Sequence, residues 1–120
     1  MATRLFSLSL TVLLFIGSIS SQGNIGQLNY AASKAALVAA AKTLNLEWRK
    51  HGIDAVVVHP GFTSTPMVAA MPAAIQEKVK GWVVSGMIHS PESVATAVVR
   101  AIEMEYLKPE IFLDHFKHAA

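Results

Sequence analysis

Tyr30 and Lys34 stand four positions apart in the segment YAASK. In an α-helix this spacing brings two side chains onto one face, one turn apart. An ammonium group stabilises the phenolate form of a neighbouring tyrosine. Such a pair can therefore give a proton to a forming alcohol, or take one from an alcohol that is being oxidised. The same spacing occurs in ordinary amphipathic helices, so by itself it is weak evidence for catalysis.

The elements that must position this pair alternate between strands and helices. The pattern predicts a strand over 11–18, a loop over 22–29 and a helix over 30–50 that ends before a left-handed Gly52. It then predicts a strand over 53–59 that ends at Pro60-Gly61, an irregular segment over 62–71, helices over 72–84 and 90–106, and a strand over 110–114. Strands that alternate with helices predict an α/β fold with a parallel sheet and right-handed crossovers. Ligands of such sheets bind at the carboxyl ends of the strands.

The composition excludes several classes of protein. The 120 residues suffice for one domain; 52% are hydrophobic and 15% are charged, which is too apolar for a disordered chain. The net charge of +2 comes from scattered residues, so we expect no nucleic-acid partner. The chain has no cysteine, and its five histidines lack zinc-site spacing, so we expect no metal. The apolar excess indicates that another surface covers part of the chain.

The first twenty residues allow two interpretations. Arg4, the apolar run over 5–16 and the small residues Ser18 and Ser20 resemble a secretory signal. The run over 11–16 (TVLLFI) is equally typical of a buried strand. The rest of the sequence favours the strand, and residues 1–10 stay unassigned and signal-like. We expect a cytoplasmic location, with secretion or an organelle as the alternatives that the apolar start leaves open.

Three blocks of sequence carry a family resemblance: GSISS over 17–21, GNIGQLNYAASKAAL over 23–37 and IDAVVVHPGFTSTPM over 53–67. In order and separation they resemble the short-chain dehydrogenase/reductase family, above all its ketoacyl-carrier-protein reductases and its hydroxyacyl and hydroxysteroid dehydrogenases. The resemblance covers about residues 11–114 and makes 115–120 a tail. It implies the C-terminal part of a Rossmann-like, doubly wound parallel sheet, without the N-terminal βαβ units and their Gly-rich turn for the cofactor pyrophosphate.

The resemblance implies three catalytic residues. Tyr30 would exchange the proton with the substrate oxygen, Lys34 would assist it and hold the nicotinamide ribose, and Ser18 would hold the substrate carbonyl. Ser18 precedes Tyr30 by twelve residues where the family usually has thirteen, so a one-residue deletion in the loop is implied. The hydride would come from NAD(P)(H), with the preference between the two forms open.

Further residues are implied to bind ligands. Contacts with the cofactor are expected from Tyr30, Lys34, Pro60, Gly61, Thr63 and Thr65, and contacts with a small apolar carbonyl or alcohol substrate from Ser18, Phe62, Met67 and Met71. The helix over 30–50 carries an Ala-rich face, and the family pairs through this helix, so a homo-oligomer is expected.

Three functions stay open. The first is a short-chain dehydrogenase/reductase-type oxidoreductase, truncated and poor at binding the cofactor on its own. The second is a non-catalytic remnant or partner-binding fragment of that family. The third is a small secreted helical protein in which YAASK is coincidental.

Overall fold

The computed structural model describes residues 11–82, 88–103 and 109–113. The predicted segment 1–10 and the tail 115–120 lie outside these residues. The helices and strands, in chain order, are β1 (Thr11–Ile16), a 3-10 turn (Ile19–Gln22), α1 (Leu28–Trp48), a second 3-10 turn (Arg49–His51), β2 (Ile53–His59), α2 (Pro66–Ala69), α3 (Ala73–Trp82), α4 (Pro91–Glu103) and β3 (Glu110–Phe112).

The described strands form one parallel sheet in the order β1-β2-β3. β1 pairs with β2 from Thr11 opposite Ile53 to Ile16 opposite Val58. β3 pairs with the last part of β2, from Val57 opposite Glu110 onwards. All three strands therefore end at the same edge of the sheet, and this confirms the predicted α/β architecture.

Helices cover both faces of β2, because its side chains alternate between the two faces. On one face Val56 and Val58 are fully buried and pack with Ala101 of α4 and Ile111 of β3. On the other face Ala55 and Val57 pack with buried Ala41 of α1, and with the partly buried Leu13, Phe15 and Leu44. This layer order, helix on each side of a parallel sheet, is the doubly wound arrangement.

The side chain of Asn45 completes the hydrogen bonding of β2. On the side of β2 that faces β3, pairing begins only at Val57. Ala55 lies two residues earlier in β2, so β3 offers its backbone no partner. There the Asn45 amide donates to the Ala55 carbonyl oxygen at 2.8 Å and accepts from the Ala55 N–H at 2.7 Å. Ala55 is 3% exposed, so its backbone groups need these partners. Asn45 thus ties α1 to the middle of β2.

Several predicted boundaries were wrong. β1 ends at Ile16 and not at 18, because Ser18 is the N-cap of a 3-10 turn that begins three residues before the predicted loop. α1 begins at Leu28, two residues before the predicted start, after Gln27, which makes no side-chain cap. Its regular part ends at Trp48, and the chain then turns at Gly52, whose φ of 77° is the left-handed conformation that the sequence predicted.

The later segments also differ from the prediction. The segment 62–71 was predicted to be irregular, but it contains the short helix α2, capped by the Thr65 hydroxyl. α3 begins at Ala73 and α4 at Pro91, close to their predicted starts, and β3 ends at Phe112 instead of 114. The predicted ends of both helices lie outside the described residues. The paired strand β1 does not favour the interpretation as a secreted helical protein, because removal of a secretory signal up to Ser20 would remove this strand.

The Asn45 bonds give a stability prediction. Replacing Asn45 by Ala leaves the buried N–H and C=O of Ala55 without partners, so we expect the free energy of unfolding to fall by about 2 kcal/mol in urea denaturation. Leu46→Ala is the matched control: Leu46 is 86% exposed on the same helix, and its loss should cost less than about 0.5 kcal/mol. Equal losses in the two variants would contradict the role given to Asn45.

Candidate active site

Tyr30 and Lys34 meet on the first turns of α1, as their spacing predicts. The Lys34 ammonium nitrogen lies 5.7 Å from the centroid of the Tyr30 ring, within the range of a cation–π contact. Tyr30 is 41% exposed, so its phenol is open to a ligand. The pair therefore places a positive charge beside an accessible phenol.

The Lys34 side chain is also anchored to the end of β1. Gly17 N–H donates to the Val58 carbonyl across the β1–β2 pair, so by strand alternation the preceding carbonyl, that of Ile16, points away from β2. Lys34 Nζ donates to this Ile16 oxygen at 2.9 Å. One of its three N–H groups is used there and the other two remain as donors. The bond holds the ammonium group at the carboxyl end of β1.

Ser18 follows two residues later and caps the 3-10 turn. Its hydroxyl oxygen accepts from the Ser20 N–H at 3.1 Å. No acceptor in the described parts of the chain takes the hydroxyl hydrogen of Ser18, which leaves it for a ligand oxygen. The residue is 9% exposed and so lies just below the surface. The turn is closed further by Asn24, whose amide donates to the Ser20 hydroxyl at 3.0 Å.

A fully buried histidine, His59, ends β2 beside Ser18. Its Nδ1 is 3.2 Å from the Ser18 backbone nitrogen, 3.0 Å from the Ser18 carbonyl oxygen and 3.4 Å from the Ser21 hydroxyl. Gly17 makes this approach feasible, because a Cβ at that position would lie 2.5 Å from Nδ1. Sequence reasoning missed this residue. The only signal was a histidine at the end of an apolar strand, IDAVVVH, followed by Pro-Gly.

The opposite side of the His59 ring faces β3. Its Nε2 lies 3.2 Å from Glu110 Oε1, and its ring stacks on Phe112 with centroids 4.3 Å apart and planes at 12°. The second carboxylate oxygen of Glu110 is 3.5 Å from the Lys42 ammonium nitrogen of α1. Sequence reasoning missed Glu110 as well. A chain of polar contacts therefore runs from the Ser18 turn through β2 to β3 and α1.

The segment after β2 is held by main-chain bonds. The Pro60 carbonyl accepts from the Ile19 N–H at 3.2 Å, which joins this segment to the Ser18 turn. His89, before α4, donates its N–H to the Phe62 carbonyl and accepts the Ser64 N–H, both at 2.8 Å. The start of α4 thus fixes the segment that was predicted to lie against the cofactor.

The two predicted threonines use their hydroxyl groups locally. Thr63 donates to the Gly61 carbonyl at 3.2 Å, and the Thr65 hydroxyl accepts from the Val68 N–H as the cap of α2. Both residues are half-buried. Hydrogen bonds that these residues donate to a ligand phosphate must therefore come from the Thr65 hydroxyl hydrogen or from the backbone, whereas both hydroxyl oxygens can still accept from a carboxamide.

The predicted substrate residues lie in and after this segment. Phe62 and Met71 are half-buried, whereas Met67 on α2 is 73% exposed. A methionine this exposed offers an unbranched, polarisable side chain to an apolar ligand. Ile75, eight residues further along the chain in α3, is also an exposed apolar side chain, at 47%.

The structure thus places Ser18 two residues after the end of β1, and Tyr30 and Lys34 on the first turns of α1. The bond from Lys34 to the Ile16 carbonyl joins the start of α1 to the end of β1. The structure also brings Pro60 to the Ser18 turn through a direct bond and leaves Met67 on the surface of α2. Within residues 11–82, 88–103 and 109–113, no group of three or more metal-ligating side chains converges, and no helix is both long and apolar enough to cross a membrane.

Comparison with known proteins agrees with this arrangement. Residues 9–76 match the family model described as short chain dehydrogenase. The (3R)-3-hydroxyacyl-CoA dehydrogenase of Canis lupus familiaris is 42% identical over 80 residues, which is 67% of this chain and 31% of that protein. The 3-oxoacyl-acyl-carrier-protein reductase MabA of Mycobacterium bovis is 37% identical over 87 residues, covering 72% of this chain and 35% of that one.

A solved structure shares the fold as well. An oxidoreductase of the short chain dehydrogenase/reductase family from Burkholderia thailandensis superposes with a TM-score of 0.70 and 27% identity, over 84% of this chain and 41% of the other. The chain spans about a third of the length of the two curated relatives named above. Its three sequence blocks, its parallel sheet and these similarities agree: it belongs to the short-chain dehydrogenase/reductase family.

Proposed function

We propose that this chain carries the proton-transfer part of an NAD(P)(H)-dependent oxidoreductase that interconverts a carbonyl compound and an alcohol. The observation that supports it best is the Lys34 ammonium group, which is tied to the Ile16 carbonyl and lies beside the accessible Tyr30 phenol. An amphipathic helix needs no such anchor, since a surface lysine is ordinarily solvated. A fixed ammonium beside a phenol suits acid–base chemistry.

In this proposal Ser18, Tyr30 and Lys34 each have a separate role in the reaction at the substrate carbonyl oxygen. The Ser18 hydroxyl donates its free hydrogen to the substrate carbonyl and polarises it. Tyr30 gives its phenol hydrogen to the same oxygen, and the Lys34 ammonium stabilises the phenolate that remains. The nicotinamide cofactor supplies the hydride when it is bound. In the oxidation direction Tyr30 takes the proton back.

The residues present fit one end of that cofactor. The two remaining N–H donors of Lys34 suit the paired hydroxyl groups of a ribose. Pro60, Gly61, Thr63 and Thr65 follow the end of β2, where a parallel sheet binds its ligands. The sequence has no Gly-rich turn opening a helix for the pyrophosphate. We therefore propose that these 120 residues hold the nicotinamide ribose and bind the whole cofactor weakly.

The proposed substrate is a small apolar carbonyl or alcohol compound. Phe62, Met67 and Met71 offer apolar contacts beyond the sheet edge, and the matched relatives are named for hydroxyacyl and oxoacyl compounds. An acyl chain would lie along α2 and cover the exposed Met67 side chain.

The proposed role of Tyr30 predicts the effect of its hydroxyl. Tyr30→Phe should lower carbonyl-dependent NADPH or NADH oxidation at least about a hundredfold, because the general acid is lost while the ring stays. Oxidation is followed by the absorbance of the reduced nicotinamide. Thr43→Ala is the control on the same helix, where the hydroxyl only donates to the Ala39 carbonyl, and its rate should stay within about twofold. A Tyr30→Phe variant as active as the control would contradict the mechanism.

Cofactor binding gives a second prediction. Fluorescence titration of the chain with NADPH and with NADH should give half-saturation well above the micromolar range for both. Lys34→Met should weaken binding by about a further tenfold, as expected for the loss of hydrogen bonds from a charged donor. Lys50→Met, at the exposed end beyond α1, should leave it unchanged. Micromolar binding by the unmodified chain would contradict the proposed partial site.

The second candidate function is partner binding through α1, and the exposed side chains of that helix support it. Apolar residues are spread around α1 instead of forming one stripe. Leu28 and Leu46 are 84% and 86% exposed, and Ala36, Ala39 and Ala40 form an exposed stripe of small residues. Small residues let two helices approach closely, so we propose a homo-oligomer through α1, with or without catalysis.

Light scattering tests this association. The unmodified chain should have at least the mass of a dimer. Ala40→Glu should lower the measured mass to that of a monomer, because it buries an unpaired charge in the proposed contact between two α1 helices. Ala95→Glu, an equal change at an exposed position of α4, should keep the larger mass. A monomeric unmodified chain would contradict the proposed contact.

A further inference from the structure

His59 contacts both main-chain groups of Ser18 through a single nitrogen. Nδ1 lies 3.2 Å from the Ser18 nitrogen, which is a donor, and 3.0 Å from the Ser18 oxygen, which is an acceptor. An imidazole nitrogen accepts when it is bare and donates when it carries hydrogen. Only one of the two contacts is therefore a hydrogen bond in any one state of the ring.

Glu110 selects between these states. Its Oε1 lies 3.2 Å from His59 Nε2, and an ionised carboxylate can only accept, so Nε2 carries the hydrogen. In the neutral ring Nδ1 is then bare and accepts the Ser18 N–H. The second oxygen of Glu110 lies 3.5 Å from Lys42 Nζ, so it faces a donor as well.

The ring cannot turn or slide away easily. Phe112 stacks on one side with a centroid distance of 4.3 Å, and Gly17 lies so close that even a methyl group there would overlap with Nδ1. His59 is fully buried. The groups that face it are the Ser18 backbone and the Ser21 hydroxyl from the 3-10 turn and Glu110 from β3, with Lys42 of α1 behind Glu110.

We propose that His59 is a positioning residue for Ser18: its bare Nδ1 holds the Ser18 amide, and Glu110 maintains the tautomer that can do so. The catalytic meaning of this inference rests on the proposed function, in which Ser18 donates to the substrate oxygen. A ring with hydrogen on Nδ1 exchanges the Ser18 N–H for the Ser18 carbonyl as partner. That exchange leaves the Ser18 N–H without its acceptor in the His59 ring, at the residue whose hydroxyl meets the substrate oxygen.

The first test measures the tautomer directly in the unmodified chain. Nitrogen-15 NMR of the His59 ring at neutral pH should give a pyridine-like shift for Nδ1 and a pyrrole-like shift for Nε2. A pyrrole-like Nδ1 would overturn the proposal. Lys42→Met removes the charge behind Glu110 but leaves the contact between Glu110 and His59, so we expect the same pair of shifts.

The second test removes the nitrogen but keeps the ring. In His59→Phe the Ser18 amide should exchange its hydrogen with solvent about fivefold faster, as expected for the loss of one hydrogen bond of average strength. The Gly17 amide donates to the Val58 carbonyl and serves as the internal control, so its exchange should be unchanged. Equal acceleration of both amides, or of neither, would contradict a specific role for His59.

A third measurement separates this proposal from the proposed function. His59→Asn places an amide oxygen near the position of Nδ1 and should recover the slow exchange of the Ser18 amide. In an active chain His59→Phe should lower kcat about tenfold with an unchanged KM for the cofactor, and His59→Asn should restore part of it. If the Ser18 amide responds as expected but no carbonyl reduction occurs with either cofactor, the positioning of Ser18 is supported and the oxidoreductase function is contradicted.

Discussion

The buried backbone of β2 is the constraint on which the rest of the structure depends. Residues 54–59 are all buried, so every N–H and C=O of this strand must find a partner inside the protein. β1 satisfies one edge along its whole length, and β3 satisfies only the end of the other. Asn45 fills the gap at Ala55. In this register the three strands end together, and the proposed site lies where they end.

The predictions from the sequence succeeded where the signal was local. The strand patterns, the order of elements and the meeting of Tyr30 with Lys34 all depend on residues a few positions apart. The left-handed turn at Gly52 is local in the same sense. The family resemblance then supplied the wider arrangement of the sheet. These features could be predicted because each depends on short-range periodicity or turn chemistry.

The prediction failed where distant residues determine the structure. Ser18 was predicted to end a strand, but its side chain instead caps a 3-10 turn that is closed by Asn24. The contact between His59 and Glu110 joins residues that are 51 positions apart, and it exists only because β3 adds to β2 in one register. No pattern in the sequence fixes that register, because β3 has only three residues and a short strand tolerates other pairings.

The two parts of the proposed chemistry make different demands on the chain. Proton transfer needs one hydroxyl, one phenol and one ammonium group, and short contacts with β1 and its turn orient the first and last of these. Holding a hydride donor needs a cradle for two phosphates, which in this family is a separate Gly-rich turn. The three proton-transfer groups can keep their arrangement in a chain that binds the cofactor poorly, because the bonds that hold Ser18 and Lys34 do not involve the phosphate cradle. The Lys34 bond to the Ile16 carbonyl shows why: it fixes the ammonium group to the sheet itself, before any ligand is bound.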